Sequence, residues 1–166
     1  MLMASFTHPH NPFVTTKEFW DLYNHSDIEM PKVPWSPISS RDPWSQRYAL
    51  TIREDEHNVS ESDLRNARHA YLGMVSYFDS LIGRIVHSLK ECDFYENTYI
   101  FVVADHGEML GERGTWFKFL PFEWSVRVPM IASGPNMEAG KIETHYTSLV
   151  DLLPTFVDLA TSGKGY

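Results

Sequence analysis

Cysteine occurs once in the 166 residues, at Cys92, so no internal disulfide can form, and the compartment reading leans to the cytoplasm. Positive charge is also scarce. Lys and Arg total 14 against 22 Asp and Glu, a formal net charge of −8. That balance argues against nucleic-acid partners, which need basic residues clustered on one face. Long apolar runs are missing too. The longest, Tyr99 to Ala104, falls far below the roughly 20 residues that span a bilayer, so no membrane partner is expected. Met1 to Ala4 is too short for a signal peptide, and there is no repeat or low-complexity tract. Apolar and aromatic residues are plentiful. At 43% and 14% they suffice for one domain or part of one, unlike a disordered chain.

Residues 1–60 carry Pro9, Pro12, Pro31, Pro34, Pro37 and Pro43 among aromatics and few periodic apolar positions, which predicts ordered loop with short helices. Thr15 or Thr16 is placed to cap a short helix over Lys17 to Tyr23. Around Trp35 to Tyr48, Ser-Pro and Asp-Pro steps predict irregular backbone, with Trp35, Trp44 and Tyr48 as anchors. Those aromatics would either meet a quaternary ammonium by cation–π contact or join the core.

Residues 61–166 read as helix, strand, loop, strand, helix. Apolar residues from Leu64 to Leu89 recur at three- and four-residue spacing after Ser60, Ser62 or Asp63, which predicts a long helix ending near Cys92. Tyr99–Ala104 is continuously apolar and rich in β-branched and aromatic residues, as in a strand covered on both faces. Val128 to Gly134 predicts a second strand. Thr147 or Ser148 then opens a helix with Leu149, Leu152, Leu153, Phe156 and Leu159. The order favours an α/β layered fold with a mostly parallel sheet, whose ligands gather at the carboxyl ends of the strands.

Asp105 and His106 stand at such an end, and Gly107 permits a close turn after them. A carboxylate beside an imidazole suits a divalent metal, or simply a solvated turn. Lys118, among Trp116 and Phe117, suits an anchor for a sulfate or phosphate oxygen, or a lysine whose stem lies along apolar surface. Arg127 reads as an ion-pair partner of Glu123 or another acid. His8 and His10 bracket Pro9 in a stiff loop, where an imidazole could serve a leaving oxygen. Cys92 reads as a structural thiol, and His25, His57, His69, His87 and His145 as surface or packing residues.

The stretch Ala104-Asp105-His106-Gly107-Glu108-Met109-Leu110-Gly111-Glu112, with Trp116-Phe117-Lys118 and Glu123 to Pro129 after it, resembles the sulfatase family of the alkaline phosphatase superfamily. Ser5 to Phe13 and Ser148 to Thr155 resemble sulfatase segments as well, so the likeness covers nearly the whole chain. The Ser-Phe-Thr-His-Pro-His opening is most similar to choline-sulfatases. The resemblance implies an alkaline-phosphatase-like α/β/α domain hydrolysing a small-molecule sulfate ester. It makes Asp105 and His106 ligands of a divalent cation, usually calcium, and Lys118 a sulfate contact. It sets His10 beside the leaving oxygen, with His8 as a second substrate-binding candidate.

The family's nucleophile is a hydrated formylglycine made from a C/S-x-P-S/A-R motif, and these 166 residues contain no such motif. Ser40-Arg41 lacks a Pro at the required distance. The expectation is therefore a central fragment of a sulfatase catalytic domain, inactive and weakly metal-binding in isolation. Calcium normally takes six to eight oxygen ligands. A phosphonate or phosphate monoester hydrolase of the same superfamily, or an inactive remnant acting as a binding module, are the competing expectations. Oligomeric state is left open.

Overall fold

The computed structural model describes residues 1–163. Its helices are α1 (Lys17–Trp20), α2 (Pro43–Thr51), α3 (Glu61–Glu91), α4 (Glu123–Val126) and α5 (Leu152–Thr161), and its strands are β1 (Ile100–Val103) and β2 (Met130–Ser133). No helix among the described residues is long and apolar enough to cross a membrane.

The long predicted helix is α3. Ser60 caps it, accepting from the Asp63 backbone N–H, while the Asp63 carboxylate accepts from the Ser60 N–H, so two otherwise orphaned donors are satisfied. Cys92 is its C-cap, at the helix end where the sequence placed it, and is exposed. Half of the box recurs ahead of α5, where the Asp151 carboxylate accepts from the Ser148 N–H at 2.8 Å. Pro154 is tolerated because it falls in the first turn of α5, where its missing N–H would have no helical partner.

Residues 43–51 depart from expectation. Instead of irregular backbone they form α2, with Asp42 as N-cap accepting from Trp44 N and Ser45 N and Pro43 in the first turn. The Asp-Pro step starts a helix here because proline's fixed φ suits that position. Helix α2 delivers Tyr48 to a small core with Met109 and Leu120, against which Ile52, Phe122 and Trp124 pack.

β1 and β2 pair antiparallel, Ile100 opposite Ser133 through Val103 opposite Met130. A parallel pair would need a long crossover, usually helical. Segment 104–129 holds only a 3-10 turn at Glu112–Gly114 and the one-turn α4 and folds straight back, so the chain returns alongside β1 in reverse. The mostly parallel sheet is therefore not present in the described residues. β1 is part-buried along its length, with Phe101 edge-on to Phe156 of α5 at 5.0 Å, whereas coverage on both faces was expected.

Candidate functional site

The loop after β1 is closed by cross-links between its two arms. Gly107 N–H donates to Ser125 O at 2.7 Å, Met109 N–H to Phe117 O at 2.8 Å, and Gly111 N–H to Thr115 O at 2.9 Å. This folded-back loop carries Lys118 towards the end of β1 where Asp105 and His106 stand.

His10 arrives from the amino-terminal loop, where its N–H donates to Thr7 O at 2.9 Å. Its ring Nδ1 is engaged with Asn11 O at 2.9 Å, which puts the proton on Nδ1 and leaves Nε2 as an acceptor. The Lys118 ammonium donates to that Nε2 at 2.6 Å across 108 residues of sequence. The rings of His10 and His106 lie 6.2 Å apart, centre to centre. His106 repeats the pattern, with Nδ1 donating to Gly107 O at 2.8 Å and Nε2 lying 3.7 Å from Asp105 Oδ2. Asp105 is 89% exposed, and its other oxygen accepts from His106 N–H.

The donor set bears on a metal. An imidazole anchored through one nitrogen to a carbonyl, with the other bare and facing a carboxylate oxygen, is how histidine is prepared for ligation. Asp105 and His106 thus fit as two ligands of a divalent cation, and among the described residues no group of three or more potential ligands forms. Two ligands alone would not complete a coordination shell.

His8 lies apart from this cluster, its ring edge-on to Tyr77 of α3 at 5.1 Å. Arg127 is exposed and forms no ion pair among the described residues; its link to Glu123 is backbone N–H to carbonyl, because it is the C-cap of α4. His69 is a packing residue as expected, buried and stacked on Trp20 at 3.6 Å.

Sequence reasoning missed the supports of Lys118. Phe117 and Phe119, on either side of it, have φ of +67° and +80°, a left-handed conformation that costs a non-glycine residue about 1–2 kcal/mol. Three side chains hold the strained segment. The Tyr48 hydroxyl donates to Trp116 O at 2.7 Å, the Trp44 indole N–H to Phe119 O at 2.9 Å, and Glu108 Oε1 accepts from Phe117 N–H at 2.5 Å. A carboxylate flanking the apolar pair Met109-Leu110 was the available signal.

Burial pushes the Tyr48 phenol up to about 12, with the Glu108 and Glu54 charges adding to the effect, so it stays a donor where free tyrosine ionises. A folded-state value above the unfolded one means that this contribution is complete below pH 10 and is lost as pH rises through about 12. Tyr48→Phe leaves Trp116 O without its donor and is expected to cost about 1–3 kcal/mol in urea unfolding at pH 7. A loss below about 0.5 kcal/mol would mean that water replaces the bond.

Beside Lys118, Trp116 and Phe117 also line an open cleft of about 1300 Å³ with Trp35, Glu54, Asp55 and Glu56. Trp35 donates its indole N–H to Glu54, and Arg41 pairs with the same carboxylate.

The family model described as Sulfatase matches residues 1–162. A choline-sulfatase of Rhizobium meliloti (strain 1021) is 41% identical over 159 residues, covering 96% of this chain and 31% of that protein. Human arylsulfatase K is 30% identical over 146 residues, covering 87% of this chain and 27% of its own length. The chain therefore spans less than a third of either relative. Among solved structures, the phosphonate monoester hydrolase of Silicibacter pomeroyi superposes with a TM-score of 0.79 at 28% identity, over 95% of this chain and 34% of that one. The enzyme of the same name from Agrobacterium radiobacter gives 0.80 at 25% identity, over 93% and 33%.

Proposed function

Because this chain belongs to the sulfatase family, we propose that it supplies the anion anchor and part of the metal site of a sulfuric ester hydrolase acting on sulfate monoesters, choline sulfate among them. The observation that carries this reading is the meeting of Lys118 Nζ and His10 Nε2 at 2.6 Å, beside His106. Lys118 binds a sulfate oxygen through its ammonium. His10 assists departure of the alcohol in its form protonated at both nitrogens, giving the Nε2 proton to the leaving oxygen and remaining as the neutral imidazole held by Asn11 O. His8, two residues earlier and packed against Tyr77, stays a second substrate-binding candidate by family resemblance alone.

Asp105 and His106 would hold the divalent cation, calcium by family resemblance, with further ligands from outside these residues. Bound there, the ion would supply positive charge to the sulfuryl oxygens. A formylglycine nucleophile belongs likewise to a part of the enzyme beyond these 166 residues. In the whole protein, β1 and β2 belong to a layered, mostly parallel α/β/α domain, with 1–60 as its loop-rich segment and 61–166 as part of its core. The choline assignment draws on the relative's identity, with the Asp55 and Glu56 carboxylates at the edge of the cleft as the nearby negative charge for a quaternary ammonium.

Phosphonate or phosphate monoesters are the second reading, favoured by the two hydrolases whose structures superpose. A chimera decides between them: this chain replaces the matching third of the Rhizobium meliloti choline-sulfatase, and rates are measured on choline sulfate, an aryl sulfate, an aryl phosphate and a phosphonate monoester. The expected result is hydrolysis led by the sulfate esters, reduced about a hundredfold or more by Lys118→Met. Preference for the phosphonate would establish the second reading. A folded chimera inert on all four would leave the chain as a binding module.

A further inference from the structure

Glu108 lies between the proposed metal pair and the proposed anion anchor, yet it touches neither directly. It is part-buried, and its Oε1 accepts from Phe117 N–H at 2.5 Å and from Leu110 N–H at 3.3 Å. Phe117 O accepts in turn from Met109 N–H, so both polar groups of the residue before Lys118 are bound to the 108–109 arm of the loop. Phe117 and Phe119 both sit at positive φ, so the backbone direction at Lys118 depends on these bonds. Trp44 and Tyr48 fix the carbonyls of Phe119 and Trp116, while Glu108 alone is bonded to the Phe117 N–H.

We propose that Glu108 is a positioning residue that sets the Lys118 ammonium against His10 by pinning the Phe117 amide. This deepens, and rests on, the reading of Lys118 as the anion anchor. A carboxylate is suited to the task because a charged acceptor makes a shorter, stronger bond to an amide than a neutral one does. It has a cost, since burial raises the Glu108 carboxyl above its ordinary value, opposed by the bonds from Leu110 and Phe117 and by the Lys118 charge. Placing that charge beside an anion site is unfavourable for anion binding unless the carboxylate contributes geometry.

Two opposing effects make the proposal testable. Glu108→Gln keeps an oxygen that can accept from Phe117 and removes the charge. Glu108→Ala removes both, and Glu108→Asp keeps the charge while withdrawing the oxygen from reach. The isotopically labelled chain is examined by NMR for the proximity of Lys118 side-chain protons to the His10 ring, and by titration with inorganic sulfate, with circular dichroism as the folding control.

The expected outcome is that Glu108→Gln keeps the Lys118–His10 proximity and binds sulfate as tightly as the parent or better. Glu108→Ala and Glu108→Asp lose the proximity and bind sulfate about tenfold more weakly, the effect of one lost buried bond. If Glu108→Ala does not fold, Glu108→Asp carries the comparison. Retention of the proximity in Glu108→Asp, or tighter sulfate binding in Glu108→Ala, would overturn the positioning role and leave Glu108 as a source of charge only. The anchor reading fails separately: sulfate that leaves Lys118 unperturbed in the parent chain sinks it, whatever the proximity data say about Glu108.

Discussion

Glu112→Ala is expected to destabilise the chain by about 3–5 kcal/mol, the range for stripping one partner from a buried charge cluster. Glu112 is 1% exposed and lies four residues beyond Glu108 in the same loop. Its two oxygens accept from Lys32 N–H at 3.1 Å and Val33 N–H at 3.0 Å, and Arg68 Nη1 on α3 lies 3.7 Å away. Arg113 N–H adds a backbone bond to Val33 O at 2.8 Å, so the amino-terminal segment is fastened to the site loop at this point. Alanine leaves two amides without their acceptors and the half-buried Arg68 guanidinium without its nearest carboxylate, although that guanidinium keeps its bond to Leu110 O. Urea unfolding measures the loss. A change under about 1 kcal/mol would show that the 31–33 segment detaches without consequence for the rest.

Gly107→Ala is expected to cost about 3 kcal/mol or more, at the upper end of what overpacking exacts. A Cβ at position 107 would sit 2.0 Å from the backbone oxygen of Trp124 and 3.0 Å from its carbonyl carbon. The obstruction is backbone, so no side-chain rotation relieves it. The arms of the loop have to part, which breaks the Gly107 N–H bond to Ser125 O and draws His106, whose Nδ1 is fixed to Gly107 O, away from Asp105. Thermal unfolding reads the stability, and NMR of the His106 ring reads the displacement. A variant as stable as the parent, with an unmoved His106 ring, would refute the prediction.

Gly107 and Glu112 also mark where sequence reasoning stopped. The glycine after Asp105-His106 read as a turn former, but the close approach that requires it is made by Trp124, a residue with no sequence periodicity linking it to position 107. Glu112 read as part of a family-like string, and its role depends on two amides 80 and 79 residues earlier in the chain. Local signals fared better. Ser60, one of the three candidate caps, and the periodicity after it announced α3, and the apolar run before Asp105 announced β1. Asp42-Pro43 was misread, because the same two residues that break an extended helix also begin one.

By itself the sequence determined the cap region and length of the amphipathic α3, the strand just before Asp105 and the membership of a family whose motifs run nearly end to end. These depend on neighbours within a few positions, where capping bonds and side-chain periodicity operate. Tertiary structure alone decided the antiparallel return of β2, the meeting of His10 with Lys118, and the three-sided clamp of Trp44, Tyr48 and Glu108 around a strained segment. Such contacts form only when the chain closes on itself. Left-handed backbone at Phe117 and Phe119 persists because bonds from separate parts of the chain offset its cost, and no local pattern encodes that sum.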